Sequence, residues 1–79
     1  MNRTHYREAR LIEEALAQAD RPDWALLIDD AIEGGSTAPD ILNRLRTTLS
    51  QIQSQHLGLP AGLDDQIESL AKAIDGALT

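Results

Sequence analysis

The segment from Gly34 to Ile52, GGSTAPDILNRLRTTLSQI, constrains the fold of this 79-residue chain more than any other. Its apolar residues recur with the period of an α-helix, and five of them fall within about 100° of one another on the helix surface. These five are Ile41, Leu42, Leu45, Leu49 and Ile52. The pattern predicts a long helix with one continuous apolar stripe, against which the other helices must pack.

A first helix is predicted before this segment, from about Thr4 to Ala19, with Asn2 or Thr4 as its N-cap. Arg10 and Glu14 are spaced to form an ion pair one turn apart. His5 projects onto the apolar face of the helix, and we expect it to pack partly against the core.

A second helix is predicted from about Arg21 to Glu33. Asp20 is a good N-cap residue, and Pro22 suits the first turn because its missing N–H would have no partner there. Gly34 is expected to end the helix in the left-handed conformation that glycine adopts readily.

The third helix is expected to have Ser36 or Thr37 as its N-cap and to end near His56; Thr37 and Asp40 resemble a capping box with Asp in place of Glu. Residues 58–62 contain enough Gly and Pro to predict a loop, and Asp64 then begins a fourth helix. Four helices with short connections predict an all-α protein, a compact bundle that forms one domain over residues 1–79.

Composition narrows the classes of function. Cysteine is absent, which excludes disulfides and thiolate metal sites. Seven basic and thirteen acidic residues give a net charge of −6, which argues against nucleic acid as a ligand. No apolar run is long enough to span a membrane, so we expect a cytoplasmic protein with no membrane partner.

No group of residues has the spacing of a catalytic, metal or cofactor site. His5 and His56 are far apart in sequence, and no Glu-x-x-His pair of a di-iron bundle is present. The segment 34–37 lacks the lysine and the preceding strand of a phosphate loop, and helix capping explains it. We therefore expect a protein without enzymatic activity.

Helix two carries the most distinctive charge pattern. Residues 23–40 contain five acids and no base. Asp29, Asp30 and Glu33 lie near the C-terminal end of this helix, where its dipole disfavours carboxylates and would suit lysines, and no cation within the helix compensates them. On a helical wheel Trp24, Leu27, Ile28 and Ala31 face inward. Leu26 faces outward among the acids.

This arrangement predicts a protein-binding surface formed by Leu26, Asp29, Asp30 and Glu33, since an exposed leucine within a charged rim is typical of an interface anchor. The alternative is a solvated acidic face with one exposed leucine, which is common. Helix four carries a second acidic patch, formed by Asp65, Glu68 and Asp75.

One segment resembles a known class of proteins. The run Ala31-Ile32-Glu33-Gly34-Gly35-Ser36-Thr37, with Asp40-Ile41-Leu42 and Leu45-Arg46 after it, is similar to a segment of small acidic helical bacterial proteins. Some of these resemble immunity proteins encoded beside secreted toxins. The resemblance covers less than a third of the chain, and it implies a protein that binds a cognate toxin domain and blocks its active site.

Charge and resemblance together favour an immunity protein or antitoxin-like inhibitor that covers a basic toxin domain. The alternative is a helical structural module that associates with itself through surplus apolar surface. Leu11 and Tyr6 flank the apolar face of helix one, and we expect that a second copy, as in a homodimer, would cover such surface.

Overall fold

Four α-helices account for the fold. The computed structural model describes residues 3–55 and 58–78. Its helices are α1 (Arg3–Gln18), α2 (Pro22–Glu33), α3 (Ala38–Gln55) and α4 (Ala61–Leu78). No strand occurs among the described residues. The predicted all-α bundle of four helices with short connections is therefore confirmed.

The helices pack in a closed ring. Each contacts its neighbours in the chain, and α4 contacts α1, which closes the ring. The bundle measures 30 × 21 × 20 Å. Because an 18-residue helix is about 27 Å long, α3 and α4 must run along the longest dimension. The shorter α2 lies between α1 and α3, with its outward face exposed over its whole length.

The apolar stripe of α3 forms one wall of the core. Leu45, Leu49 and Ile52 are buried, and Ile41 and Leu42 pack at its margin. The other helices contribute the buried residues Ala9, Ile12, Leu16, Ala25, Ile28, Ala31, Leu63, Ile67, Leu70 and Ile74. The core thus consists of Leu, Ile and Ala, as a chain without Phe requires.

The junction between α1 and α2 differs from the prediction. Asp20 has a φ of +64° and closes α1, and the N-cap position of α2 is occupied by Arg21, whose side chain does not cap the helix. Arg21 N donates to Leu16 O (2.8 Å) and Asp20 N donates to Ala17 O (3.3 Å), which is the Schellman pattern. Asp20 as an N-cap was therefore wrong, because aspartate also tolerates the left-handed conformation that ends a helix. Pro22 is the first residue of α2, as predicted.

The junction between α2 and α3 is partly as predicted. Gly34 has a φ of −85°, so the expected left-handed conformation is wrong, and its N–H simply continues the helical hydrogen bonding. Thr37 does cap α3, since its Oγ1 accepts from Asp40 N (3.3 Å). Asp40 Oδ2 in turn accepts from Ser36 N (3.1 Å), one residue before the position expected in a capping box.

Helix ends were predicted less well than helix centres. α4 begins at Ala61, three residues before the expected Asp64, because Pro60 O accepts from Leu63 N (2.9 Å) and Asp64 N (3.1 Å). Thr4 lies inside α1 and is not its N-cap. The expected roles of Asn2 and His56 lie outside the described residues.

Candidate binding face of α2

The outward face of α2 presents two leucines instead of one. Leu26 is 65% exposed, as predicted, whereas Leu27, which was predicted to face inward, is 41% exposed. The buried residues of α2 are Ala25, Ile28 and Ala31. Leu27 lies about 100° from Ile28 around the helix, at the edge of the buried sector, so its side chain points towards solvent beside α3. Trp24 is half-buried at the same core boundary.

Two of the predicted acids meet an arginine from α1. Arg10 Nη1 donates to Glu13 Oε1 (2.9 Å) and to Asp29 Oδ1 (2.7 Å), and Nη2 donates to Glu33 Oε1 (2.9 Å). We call these four residues the Arg10 cluster. It joins α1 to α2 along their solvent-facing edge, with the Arg10 side chain 40% exposed.

The Arg10 cluster changes the electrostatics inferred from the sequence. Its three carboxylates raise the pKa of Arg10 above the ordinary guanidinium value, chiefly through the hydrogen bond from Arg10 to Asp29 and then that to Glu13. Two of the three acids at the C-terminal end of α2, Asp29 and Glu33, are thus compensated by a cation from another helix. The predicted pair between Arg10 and Glu14 is wrong, because Arg10 turns towards Glu13 and α2 instead.

Asp30 differs from the other acids of the face. It is exposed and forms no ion pair within the part of the chain that the structure describes. Together with Leu27 and Ala31 it forms one side of an open groove of about 360 Å³ between α2 and α3. The α3 side of this α2–α3 groove is formed by Asn43, Arg44, Thr47 and Thr48.

The side chains on the α3 side of the groove are held in place by local hydrogen bonds. Thr47 Oγ1 donates to Asn43 O (3.1 Å), and Thr48 Oγ1 donates to Arg44 O (3.0 Å). Arg44 Nε donates to Asp40 Oδ2 at 3.2 Å. The pKa of Asp40 is lowered, first by the hydrogen bond from Ser36 N and then by Arg44. The charge of Arg44 is therefore partly balanced at the end of the groove.

The second acidic patch, on α4, is paired to the same extent as the acids of α2. Asp75 Oδ1 accepts from Arg46 of α3 (3.0 Å), and Glu68 lies 3.0 Å from Lys72 one turn away. Asp65 is exposed and forms no ion pair with any described residue. Asp64 is likewise exposed and outside every ion pair, so α4 and α2 each keep two acids that form no ion pair among the described residues, Asp64 and Asp65 on α4 and Asp23 and Asp30 on α2.

His5 is buried, with 6% of its surface exposed, and its Nδ1 has no hydrogen-bond partner among the described residues. His5 was predicted to pack only partly against the core, and the structure buries it more completely than that. Residues 3–55 and 58–78 contain no group of His, Asp and Glu that could hold a metal ion. None of the described helices is long and apolar enough to cross a membrane.

The structure therefore gathers the predicted residues into two adjoining groups. Asp29 and Glu33 belong to the Arg10 cluster, whereas Asp30 faces the α2–α3 groove and Leu26 lies on the crest between them. The role of Arg10 could not be predicted from local spacing, because its α2 partners lie 19 and 23 residues away. Comparison of the chain with protein families, curated proteins and solved structures finds no match.

Proposed function

We propose that the chain is a non-catalytic cytoplasmic binding protein, an immunity protein or antitoxin-like inhibitor. In this proposal the α2 face covers a basic toxin domain. The observation that supports it best is the pair of adjacent exposed leucines, Leu26 and Leu27, beside carboxylates that outnumber the nearby cation. Apolar anchors surrounded by polar groups that exclude water are typical of binding hot spots.

The charge balance of the face favours a basic partner. Three carboxylates, those of Glu13, Asp29 and Glu33, surround the guanidinium of Arg10, and Asp30 lies in the groove with Arg44, whose charge is partly balanced by Asp40. A field of this sign attracts cationic groups, and a domain that binds nucleic-acid phosphates presents many of them. Electrostatic attraction would raise the association rate, and salt would reduce it.

The proposed mechanism is occlusion. The acids would occupy cationic groups that otherwise bind the phosphates of the toxin's substrate, and the leucines would exclude water from the contact. A rigid helix suits this role because its side chains keep one spacing in the free and the bound protein. The Arg10 cluster supports this rigidity, since it fixes α2 to α1 on the same face.

The proposal is tested by inhibition of the protein encoded beside this chain. The purified chain is titrated into that protein, and the activity of the latter is followed at low and high salt. We expect activity to fall to a stoichiometric end point, with slower inhibition at high salt. Unchanged activity at a tenfold molar excess, or inhibition without formation of a complex, would reject the proposal.

A self-associating structural module is the second candidate, favoured by Leu11. This residue is 50% exposed and lines a groove of about 180 Å³ between α1 and α4, together with Gln66 and Ser69. Tyr6 is half-buried and offers less apolar surface. Sedimentation at tens of micromolar separates the candidates: this one requires a dimer mass that Leu11→Ala converts to the monomer mass.

A further inference from the structure

We propose that the α2–α3 groove binds a basic amphipathic helix of the protein partner, with one apolar side chain against Leu27 and a cation one turn to each side. This inference rests on the proposed function and specifies the segment of the partner that the acidic face recognises. It also moves the apolar anchor from Leu26, on the crest of α2, to Leu27 in the groove.

The shape of the groove suits an apolar side chain. Its α2 side carries Leu27, which is 41% exposed, above the buried Ala31. Thr48, on the α3 side, is buried, and its hydroxyl donates a hydrogen bond to Arg44 O. An apolar side chain that enters the groove would therefore contact Leu27 and Ala31 and would leave the hydrogen bond from Thr48 to Arg44 O intact.

The spacing of Asp23 and Asp30 on α2 predicts where a partner helix carries its cations. Asp23 lies four residues before Leu27 and Asp30 three residues after it, so both carboxylates share the edge of α2 with this leucine. Seven residues of helix separate the two acids by about 10 Å. A partner helix that carries a lysine one turn before and one turn after an apolar residue matches this order in either direction.

Charge complementarity selects a cationic segment despite the arginine in the groove. Both Asp23 and Asp30 are exposed, and neither forms an ion pair among the described residues. The guanidinium of Arg44 is bound through Nε to Asp40, at 3.2 Å. The field along the α2 edge is therefore negative, and an acidic segment would meet two uncompensated carboxylates.

A helical segment fits better than an extended one. An extended peptide binds mainly by pairing its backbone with an exposed strand edge, and residues 3–55 and 58–78 offer none. A helix satisfies its own backbone hydrogen bonds and needs only side-chain contacts. α2 and α3 provide such contacts over the roughly 18 Å of the 12-residue α2.

The test uses a blocked alanine-based helical peptide with one leucine and a lysine one turn before and after it. It is titrated into the ¹⁵N-labelled full chain, followed by two-dimensional NMR, which detects millimolar binding. The control peptide has the same composition, with the leucine on the opposite side of the helix. We expect saturable shifts at Leu27, Asp30 and Thr47 with the first peptide and at least about fivefold weaker binding of the control.

Variants of the protein separate the groove from the crest. Leu27→Ala should weaken peptide binding about fivefold or more, whereas Leu26→Ala and the distant Leu11→Ala should change it less than about twofold. NMR shifts confined to the region of Leu26 or to α4, or equal binding of both peptides, would reject the α2–α3 groove as the binding site. Neither result would contradict the proposed function as an acidic binding protein. Binding of neither peptide would overturn the groove, and the inhibition assay would then decide the proposed function on its own.

Discussion

Replacing Arg10 by methionine tests the structural role of the Arg10 cluster. The substitution Arg10→Met keeps an unbranched side chain along α1 and removes all three ion pairs of the guanidinium. It leaves Glu13, Asp29 and Glu33 close together without a cation, and it exposes the acids of α2 to the unfavourable end of the helix dipole. We therefore expect the variant to be less stable than the wild type.

The loss of stability expected for Arg10→Met depends on how exposed the three carboxylate partners of Arg10 are. Ion pairs between exposed side chains contribute about 0.2–1 kcal/mol each. Glu13 is 26% exposed and Asp29 39%, which favours the upper part of that range, whereas Glu33 is 68% exposed and contributes little. The expected loss is about 1–2 kcal/mol after allowance for solvent screening. For a domain of this size that corresponds to a fall in Tm of roughly 5–15 °C.

The assay is urea unfolding followed by circular dichroism, at low salt and in molar salt. Arg7→Met is the matched control, because Arg7 is exposed on the same helix and forms no ion pair with the described residues. We expect a small effect for Arg7→Met, and a loss for Arg10→Met that shrinks in molar salt as the attraction is screened. A loss below about 0.5 kcal/mol, or equal losses for both variants, would refute the role assigned to Arg10.

Three further predictions concern the core, the α2–α3 junction and the cap of α3. Leu45→Ala, at a fully buried position, should cost about 2–5 kcal/mol in urea unfolding; a loss below about 1 kcal/mol would contradict its place in the core. Gly35→Ala should lower the Tm, because the added methyl group would overlap Ile41. Gly76→Ala, which places a methyl group in open space within α4, should stabilise the fold by about 0.5–1 kcal/mol. Equal changes in Tm for the two variants would contradict the packing of Gly35 against Ile41. The pKa of Asp40 is lowered in the folded protein, so its ionised carboxylate stabilises the fold at pH values above its ordinary carboxyl pKa of about 4. This stabilisation is lost as the pH falls through the pKa of the folded state. In melting curves recorded over a pH series, the Tm of Asp40→Asn should therefore fall less in acid than the Tm of the wild type.

The helices and their buried stripes were predictable because they depend on local periodicity. Leu45, Leu49 and Ile52 recur at helical spacing and are all buried. The boundaries were harder, since one residue type can serve opposite ends of a helix. Asp20 has the chemistry of an N-cap, yet it occupies the left-handed position that ends α1, and two residues of the predicted loop, Ala61 and Gly62, belong to α4.

The candidate site was predicted only in part, because its electrostatics depend on the packing of two helices. Sequence alone favours lysine in place of Asp29 and Glu33, since cations suit the C-terminal end of a helix. The structure reverses this expectation, because lysine at either position would face Arg10. Leu27 was likewise assigned to the core from its wheel position, and only the packing of α2 against α3 places it at the groove.

The central claim is that the α2 face binds the protein encoded beside this chain. Its most direct test is titration calorimetry, which measures how two charge reversals change the affinity for that protein. Asp30→Lys alters the α2 face and Asp65→Lys alters α4; both positions are exposed and neither takes part in an ion pair among the described residues, so neither change breaks an internal pair. If α2 is the binding face, Asp30→Lys weakens binding at least about tenfold at low salt and Asp65→Lys changes it less than about twofold. Unchanged affinity for Asp30→Lys together with a loss for Asp65→Lys would contradict the account and move the interface to α4.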